Sequence, residues 1–251
     1  MTPALEMVGL SKRFGDTVAA DRVDLVVPSG SFYGLVGPNG AGKTTSLSMA
    51  VGLLRPDTGT ARVLGLDVWS DPERAKALVG VLPDALTYPE RLTGRELLTY
   101  VGLLRGLARR VVAERTEELL SVLGLAEARD NLVVDYSTGM RKKIGLAAAL
   151  LHAPRLLVLD EPFEAVDPVS AATIRTILAR LVVSGGTVIF SSHVMPLVER
   201  LCSHVAVIAR GKVLVAGTLA EVRAGRALDD VLVDLLHADI GGAEGLVWLA
   251  S

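Results

Sequence analysis

The sequence predicts an α/β protein in which helices cover a mainly parallel sheet, and three observations support this fold class. Short apolar runs, such as 32–36, 156–159 and 187–190, alternate with segments of helical periodicity. Half of the residues are apolar but only 4% are aromatic, so Val, Leu and Ala must build the core, as in buried parallel strands. A chain of 251 residues is long enough for one large domain with a sizeable core.

The N-terminal part of the chain is predicted to be rich in strands. Apolar runs at 5–8, 23–27 and 32–36 indicate three strands, and Phe14-Gly15-Asp16 is typical of a turn between the first two. Beyond residue 51 we expect a short strand at 61–64, a helix starting at Pro72 with Asp71 as its N-cap, and a strand at 78–82.

The most specific motif lies between the strand at 32–36 and the helix that follows it. Its residues are Gly37-Pro38-Asn39-Gly40-Ala41-Gly42-Lys43-Thr44-Thr45, in the spacing G-x-x-x-x-G-K-[ST] of a phosphate-binding loop (P-loop). Glycines allow the loop to curl and aim its N–H groups inward, and the next helix N-terminus adds more free N–H groups. Lys43 is expected to contact the β- and γ-phosphates, and the Thr44 hydroxyl to bind a magnesium ion. An ordinary glycine-rich turn is the alternative, but the flanking strand and helix favour nucleotide binding.

From residue 93 onward the pattern becomes helical. Thr93-Gly94-Arg95-Glu96 is a capping box that opens one helix, and a second amphipathic helix is expected at 112–123. A third helix starts at Ser137, a plausible N-cap, and extends to residue 151. The stretch from about 87 to 154 is therefore predicted to be a helical subdomain inserted into the α/β core.

The second half of the core supplies the remaining candidate chemistry. Asp160 and Glu161 follow the apolar strand at 156–159, and His193 follows the strand at 187–190. Ligand sites collect at such strand ends in open α/β sheets. Asp160 is expected to hold magnesium opposite Thr44, and Glu161 to orient the attacking water and accept its proton. The alternatives are a polar strand-to-loop turn for the carboxylates and a structural role for His193.

Charge and composition narrow the classes of partner. The net charge is −2 with a pI near 6.1, and no basic stripe of the kind that tracks nucleic acid is present in the sequence. The short runs Arg109-Arg110 and Arg141-Lys142-Lys143 are expected to be solvated. The single cysteine, Cys202, is expected to be a small core residue. The N-terminus has no signal-peptide pattern and no run reaches ~18 apolar residues, so we expect any membrane role to come through a partner.

Taken in order, these motifs resemble the nucleotide-binding subunit of ATP-binding cassette (ABC) transporters over about residues 4–235. The resemblance rests on the phosphate loop, the acidic strand end at 156–162, Asp167 in the following loop and His193. It also rests on the signature Tyr136-Ser137-Thr138-Gly139-Met140.

The resemblance implies a single ABC ATPase domain over 1–251, with a mainly parallel core at about 1–86 and 155–220. It also implies an antiparallel β part near the N-terminus and a C-terminal helix and tail at 221–251. ATP, with Mg²⁺, would lie in a head-to-tail dimer between the phosphate loop of one subunit and the signature residues Ser137, Thr138, Gly139 and Met140 of the other. Phe14 would stack on adenine, Glu161 would be the general base, and His193 would contact the γ-phosphate.

Three positions depart from the family's usual pattern. Asp84 stands where a glutamine is common, and a magnesium contact from this shorter carboxylate is one expectation for it. The signature has Ser-Thr-Gly-Met where Ser-Gly-Gly-Gln is commoner, and the loop before Asp167 starts with Glu164 where a serine is usual.

The signature variant and the tail at 228–232 resemble bacterial exporters of the drug and antibiotic-resistance kind. The predicted function is therefore an exporter ATPase at the cytoplasmic face of the cell membrane. Its expected partners are permease subunits and a second nucleotide-binding subunit, and nucleic acid is not expected to be a partner. The alternatives are a nucleic-acid or ribosome factor of the same superfamily and a regulatory subunit with weak turnover.

Overall fold

The computed structural model describes residues 2–84, 89 and 91–240 of the chain. Within them the strands are β1 Leu5–Phe14, β2 Thr17–Val27, β3 Phe32–Val36, β4 Thr58–Val63, β5 Leu66–Asp67, β6 Val79–Leu82, β7 Leu156–Leu159, β8 Thr187–Ser192, β9 His204–Ala209 and β10 Lys212–Thr218. The α-helices are α1 Lys43–Ala50, α2 Pro72–Ala77, α3 Gly94–Leu104, α4 Arg109–Val122, α5 Thr138–Leu150, α6 Pro168–Val183, α7 Met195–Leu201, α8 Leu219–Arg223 and α9 Leu228–Ile240.

The strands form two sheets in the described part of the chain. One has the order β10-β9-β3-β8-β7-β6, parallel from β9 to β6, with β10 antiparallel at its edge. The other is antiparallel, in the order β2-β1-β4-β5. This arrangement, with helices α3 to α5 between β6 and β7 in the chain, confirms the predicted fold class. The predicted domain boundaries remain predictions, and both the one near residue 86 and the tail at 241–251 fall outside the described residues.

The central strand β3 contributes to two hydrophobic cores. Phe32 and Val36 pack into the core that contains the helical segment, whereas Tyr33 and Leu35 pack into the core shared with the antiparallel sheet. Side chains alternate across a strand, so one short strand serves both layers. Gly34 lies where a Cβ would come within 2.7 Å of the Val198 side chain, and its hydrogen lets α7 pack closely on the strand.

Several predicted elements differ from the structure at their ends. The strands expected at 5–8 and 23–27 are longer, because β1 and β2 continue through polar residues whose outer face is exposed. The strand expected at 187–190 continues to Ser192 and carries two buried serines into the sheet. Asp71 precedes α2 as predicted, but its carboxylate pairs with Arg74 and makes no capping hydrogen bond. The capping box at Thr93 is confirmed.

Two further expectations concern Cys202 and the crossing of a membrane. Cys202 is buried as predicted, and burial raises the pKa of its thiol well above the usual value. No helix among the described residues combines the length and apolarity needed to span a bilayer.

Candidate functional site

The phosphate loop joins β3 to α1 and closes tightly against neighbouring backbone. An ideal Cβ on Gly37 would lie 2.0 Å from the Ile208 carbonyl oxygen, and one on Gly42 would lie 2.3 Å from the Ala19 carbonyl oxygen. Gly42 also has φ +100°, in the left-handed region that side chains rarely adopt. Glycine is therefore required at both positions, and the loop curls as the motif predicts.

Lys43, the first residue of α1, points back into its own loop. Its Nζ donates hydrogen bonds to the carbonyl oxygens of Gly37 at 2.8 Å and Pro38 at 3.1 Å, and its side chain is 7% exposed. Burial lowers the pKa of Lys43 below its ordinary value, while the nearby carboxylates of Glu161 and Asp160 act in the opposite direction. The ammonium is held beside the space in which a phosphate would bind.

The two carboxylates after β7 are held in different ways. Asp160 is 5% exposed, and one of its carboxylate oxygens accepts a hydrogen bond from the Ser191 hydroxyl. The same hydroxyl accepts a hydrogen bond from the Glu161 backbone N–H at 2.9 Å. Glu161 has φ +45°, an unusual conformation for a residue with a side chain, and this hydrogen bond helps to maintain it.

The Glu161 side chain lies between Lys43 and His193, the residue that follows β8. Its Oε1 lies 3.1 Å from Nδ1 of His193 and 3.9 Å from Nζ of Lys43. Its side chain is 15% exposed, whereas that of His193 is 47% exposed. The structure therefore places the predicted base, the predicted γ-phosphate contact and the loop lysine in one cluster.

A cleft of about 530 Å³ brings most of the predicted nucleotide-site residues together. The predicted site residues that line it are Phe14, Asn39, Gly40, Ala41, Gly42, Lys43, Thr44, Thr45, Asp84, Asp160, Glu161 and His193. Glu164 also lines it, together with Thr17, Val18 and Ala19 at the start of β2. Phe14 is 51% exposed at the end of β1, and the ammonium of Lys12 lies 5.8 Å from its ring centroid. A ring exposed at the rim of the cleft is available for stacking.

The signature residues and Asp167 are not among the described residues that line this cleft. Ser137 caps α5 as predicted, with its hydroxyl accepting the Met140 N–H at 3.3 Å, and both Ser137 and Thr138 are exposed. A Cβ on Gly139 would lie 2.9 Å from the Ala165 carbonyl oxygen, so the loop after Glu161 packs directly on the signature helix.

Asp167 caps helix α6. Its carboxylate accepts the backbone N–H groups of Val169 and Ser170, and hydrogen bonding to Ser170 lowers its pKa.

Sequence reasoning missed Ser191 and was wrong about Lys142. Lys142 was expected on a solvated face, but it is buried, and its Nζ lies 3.1 Å from Oδ1 of Asp84. The α5 periodicity contains the signal, because Lys142 lies three, four and seven residues before the buried Gly145, Leu146 and Ala149 and therefore shares their face of the helix. Ser191 was placed beyond its strand, and only the pairing of β8 with β3 shows that it lies inside.

Comparisons with known proteins show which family the chain resembles. A family model for the ABC transporter matches residues 20–164. The chain is 41% identical over 222 residues to the daunorubicin/doxorubicin resistance ATP-binding protein DrrA of Streptomyces peucetius, covering 88% of this chain and 67% of that protein. It is 35% identical to the bacitracin transport ATP-binding protein BcrA of Enterococcus faecalis, covering 88% of this chain and 71% of the relative. A solved structure of an ATP-binding subunit of an ABC transporter superposes with a TM-score of 0.87 at 28% identity, covering 93% of this chain and 99% of that one.

Proposed function

Because this chain belongs to the ABC transporter family, we propose that it is the ATP-hydrolysing subunit of a bacterial exporter of the drug or antibiotic kind. ATP binding and an ATPase activity coupled to transport follow from family membership. The export direction and the class of cargo are supported by relatives whose names refer to daunorubicin/doxorubicin resistance and bacitracin transport. The chain is proposed to act at the cytoplasmic face of the membrane, bound to permease subunits.

The observation that carries the catalytic proposal is the position of Glu161. Its carboxylate faces the cleft between Lys43 and His193, at 3.9 and 3.1 Å, beside the loop that binds phosphates. A carboxylate there can orient a water molecule and take its proton as the water attacks the γ-phosphate. His193 contacts the γ-phosphate and holds the Glu161 carboxylate, and Phe14 stacks on the base.

A magnesium ion fits the donors that the cleft provides. The Thr44 hydroxyl and the Asp160 carboxylate are hard oxygen ligands, and both residues line the cleft. When bound there, magnesium would neutralise charge on the β- and γ-phosphates. Ser191 fixes the Asp160 carboxylate in place, and the Lys43 ammonium balances the adjacent negative charges.

The site is proposed to be completed by a second nucleotide-binding subunit. Ser137, Thr138 and Gly139 are at the start of α5, where free N–H groups suit a phosphate, yet they do not line the cleft of their own chain within the described residues. A head-to-tail pairing would bring these residues to the ATP held by the other subunit. Met140 and Asp167 are proposed to lie at the same contact.

Replacement of Glu161 by Gln tests the proposed chemistry. We expect kcat for ATP hydrolysis to fall by roughly 10²- to 10⁴-fold, the usual contribution of a general base. ATP affinity should stay within about threefold, because the phosphate loop is unchanged, and ATP should trap a stable dimer visible by light scattering. Glu164→Gln is the matched control, since it removes the same charge from the same cleft and should reduce kcat far less. Undiminished turnover in Glu161→Gln would refute the assignment of the base.

A further inference from the structure

Lys142 is a buried cation on the helix that begins at the signature. It lies in the first turns of α5 and is 6% exposed, whereas its neighbour Arg141 is exposed. Lysine is almost never fully buried unless its charge is paired. The proposed function gives this side chain no role, although it reaches the edge of the nucleotide site.

The Lys142 ammonium bridges the ends of two adjacent strands. It lies 3.1 Å from Oδ1 of Asp84, which follows β6, and 3.4 Å from the carbonyl oxygen of Asp160, which follows β7. The strands are paired in register up to Leu82 and Leu159, and the Asp160 N–H donates to the Leu82 carbonyl oxygen at 2.8 Å. One side chain from α5 thus connects the signature helix to both strand ends.

The Asp84 carboxylate contacts both the nucleotide cleft and the signature helix. It lines the nucleotide cleft together with Asp160 and Glu161, and it is also the anionic partner of Lys142. The side chain of Asp84 is 51% exposed, whereas that of Lys142 is 7% exposed. Among the described residues, loss of the carboxylate would leave the buried ammonium with only a long carbonyl contact, and an uncompensated buried charge is strongly unfavourable.

We propose that Lys142 is a positioning residue that sets the orientation of the signature helix relative to the nucleotide cleft through its ion pair with Asp84. The phosphate-binding loop is complete without it, so Lys142 has no part in the binding of ATP to one subunit. It acts when two subunits associate, because Ser137 and Gly139 at the start of α5 must then reach the partner's ATP. This inference rests on the proposed function, specifically on the ATP-dependent dimer.

The test measures nucleotide binding and association separately. All variants carry Glu161→Gln, so that hydrolysis does not contribute. Affinity of a fluorescent ATP analogue reports on the single subunit, and sedimentation with ATP and magnesium reports on dimer formation. For Lys142→Met we expect nucleotide affinity within about twofold and dimer affinity lowered by roughly tenfold or more.

Three further variants and one matched control identify the pair as the cause. Lys142→Arg keeps the charge and should restore most of the dimer affinity. Asp84→Asn should weaken association as Lys142→Met does, and the double variant should be no weaker than either single one, because both act through one ion pair. Lys143→Met is the matched control. Its Nζ contacts only the Ser170 hydroxyl, at 3.4 Å, among the hydrogen bonds of the described residues, and it should associate normally.

The possible outcomes separate this inference from the proposed function. Failure of the Glu161→Gln protein itself to dimerise with ATP would overturn the dimer model. If that protein dimerises and Lys142→Met dimerises equally well, the role of Lys142 is refuted. Fully additive effects of Lys142→Met and Asp84→Asn would also refute it. Should Lys142→Met fail to fold, the separate variants Asp84→Asn and Lys142→Arg decide the question, since both keep a positive charge at position 142. Dimer affinity that is unchanged in Asp84→Asn would then refute the role of the ion pair.

Discussion

Ser191→Ala is expected to destabilise the protein more than any other single hydroxyl removal near the cleft. The hydroxyl is fully buried in β8, donates to the Asp160 carboxylate and accepts the Glu161 backbone N–H. A hydrogen bond to a charged group contributes about 1.5–3 kcal/mol, and a buried N–H left without a partner costs about 1–3 kcal/mol. Since neighbouring losses are not fully additive, we expect a decrease of about 2–4 kcal/mol in the free energy of unfolding.

Thermal unfolding of the nucleotide-free protein measures this decrease. For a chain of this size each kcal/mol lowers Tm by about 2–4 °C, so the variant should melt about 4–16 °C below the parent. Its ATPase rate should also fall, because the Glu161 backbone loses the contact that helps to hold its left-handed conformation.

Ser192→Ala is the matched control for Ser191→Ala. Ser192 is the next residue of the same strand and is also buried, but its hydroxyl accepts one neutral hydrogen bond, from the Val194 N–H at 3.0 Å. Its loss should cost about 1 kcal/mol. Equal Tm values for the two variants would show that the Ser191 hydroxyl does not hold the carboxylates, and the reasoning would fail.

Three more predictions concern the loop, the base platform and the response to acid. Gly42→Ala should abolish ATP binding measured by equilibrium dialysis, because its Cβ would lie 2.3 Å from the Ala19 carbonyl oxygen; retained binding would contradict the required glycine. Phe14→Ala should weaken ATP binding by roughly 1–3 kcal/mol, typical of base stacking, and leave tripolyphosphate binding unchanged; equal losses for both ligands would exclude stacking. Burial lowers the pKa of His152 from 6.5 to about 4, so protonation favours the unfolded chain and stability is lost as pH falls from about 6.5 towards 4. His152→Gln should therefore remove about 1.4 kcal/mol of the destabilisation between pH 7.5 and 5.5 in urea titrations, and an unchanged pH dependence would contradict this.

The sequence was sufficient to predict the architecture because its strongest signals are local. The phosphate loop, the capping box at Thr93 and the apolar strand before Asp160 each depend on a few adjacent residues, and all three are found as predicted. The ends of β1 and β2 were missed because polar residues continue these strands on an exposed face, where periodicity in apolar residues is weak.

The contacts that complete the site depend on chain segments far apart in sequence. Lys142 and Asp84 are 58 residues apart, and Ser191 and Asp160 are 31 residues apart. Ser191 and Asp160 meet because β7 and β8 are neighbours in the sheet, and Lys142 reaches Asp84 because α5 packs against β6. No local sequence pattern specifies either contact. The basic run around Lys142 therefore suggested exposure, and only the helical spacing to Gly145, Leu146 and Ala149 indicated that the side chain is buried.

The two-sided packing of β3 has a consequence for how the chain acquires its activity. The phosphate loop starts immediately after Val36, and β3 is fixed only when Phe32 and Val36 on one face and Tyr33 and Leu35 on the other have both packed. A folding intermediate with only one core assembled would leave this strand half-supported. The ability to bind nucleotide should therefore appear late in refolding, after the two layers dock. Nucleotide binding during refolding would then report only the chains in which both cores have formed.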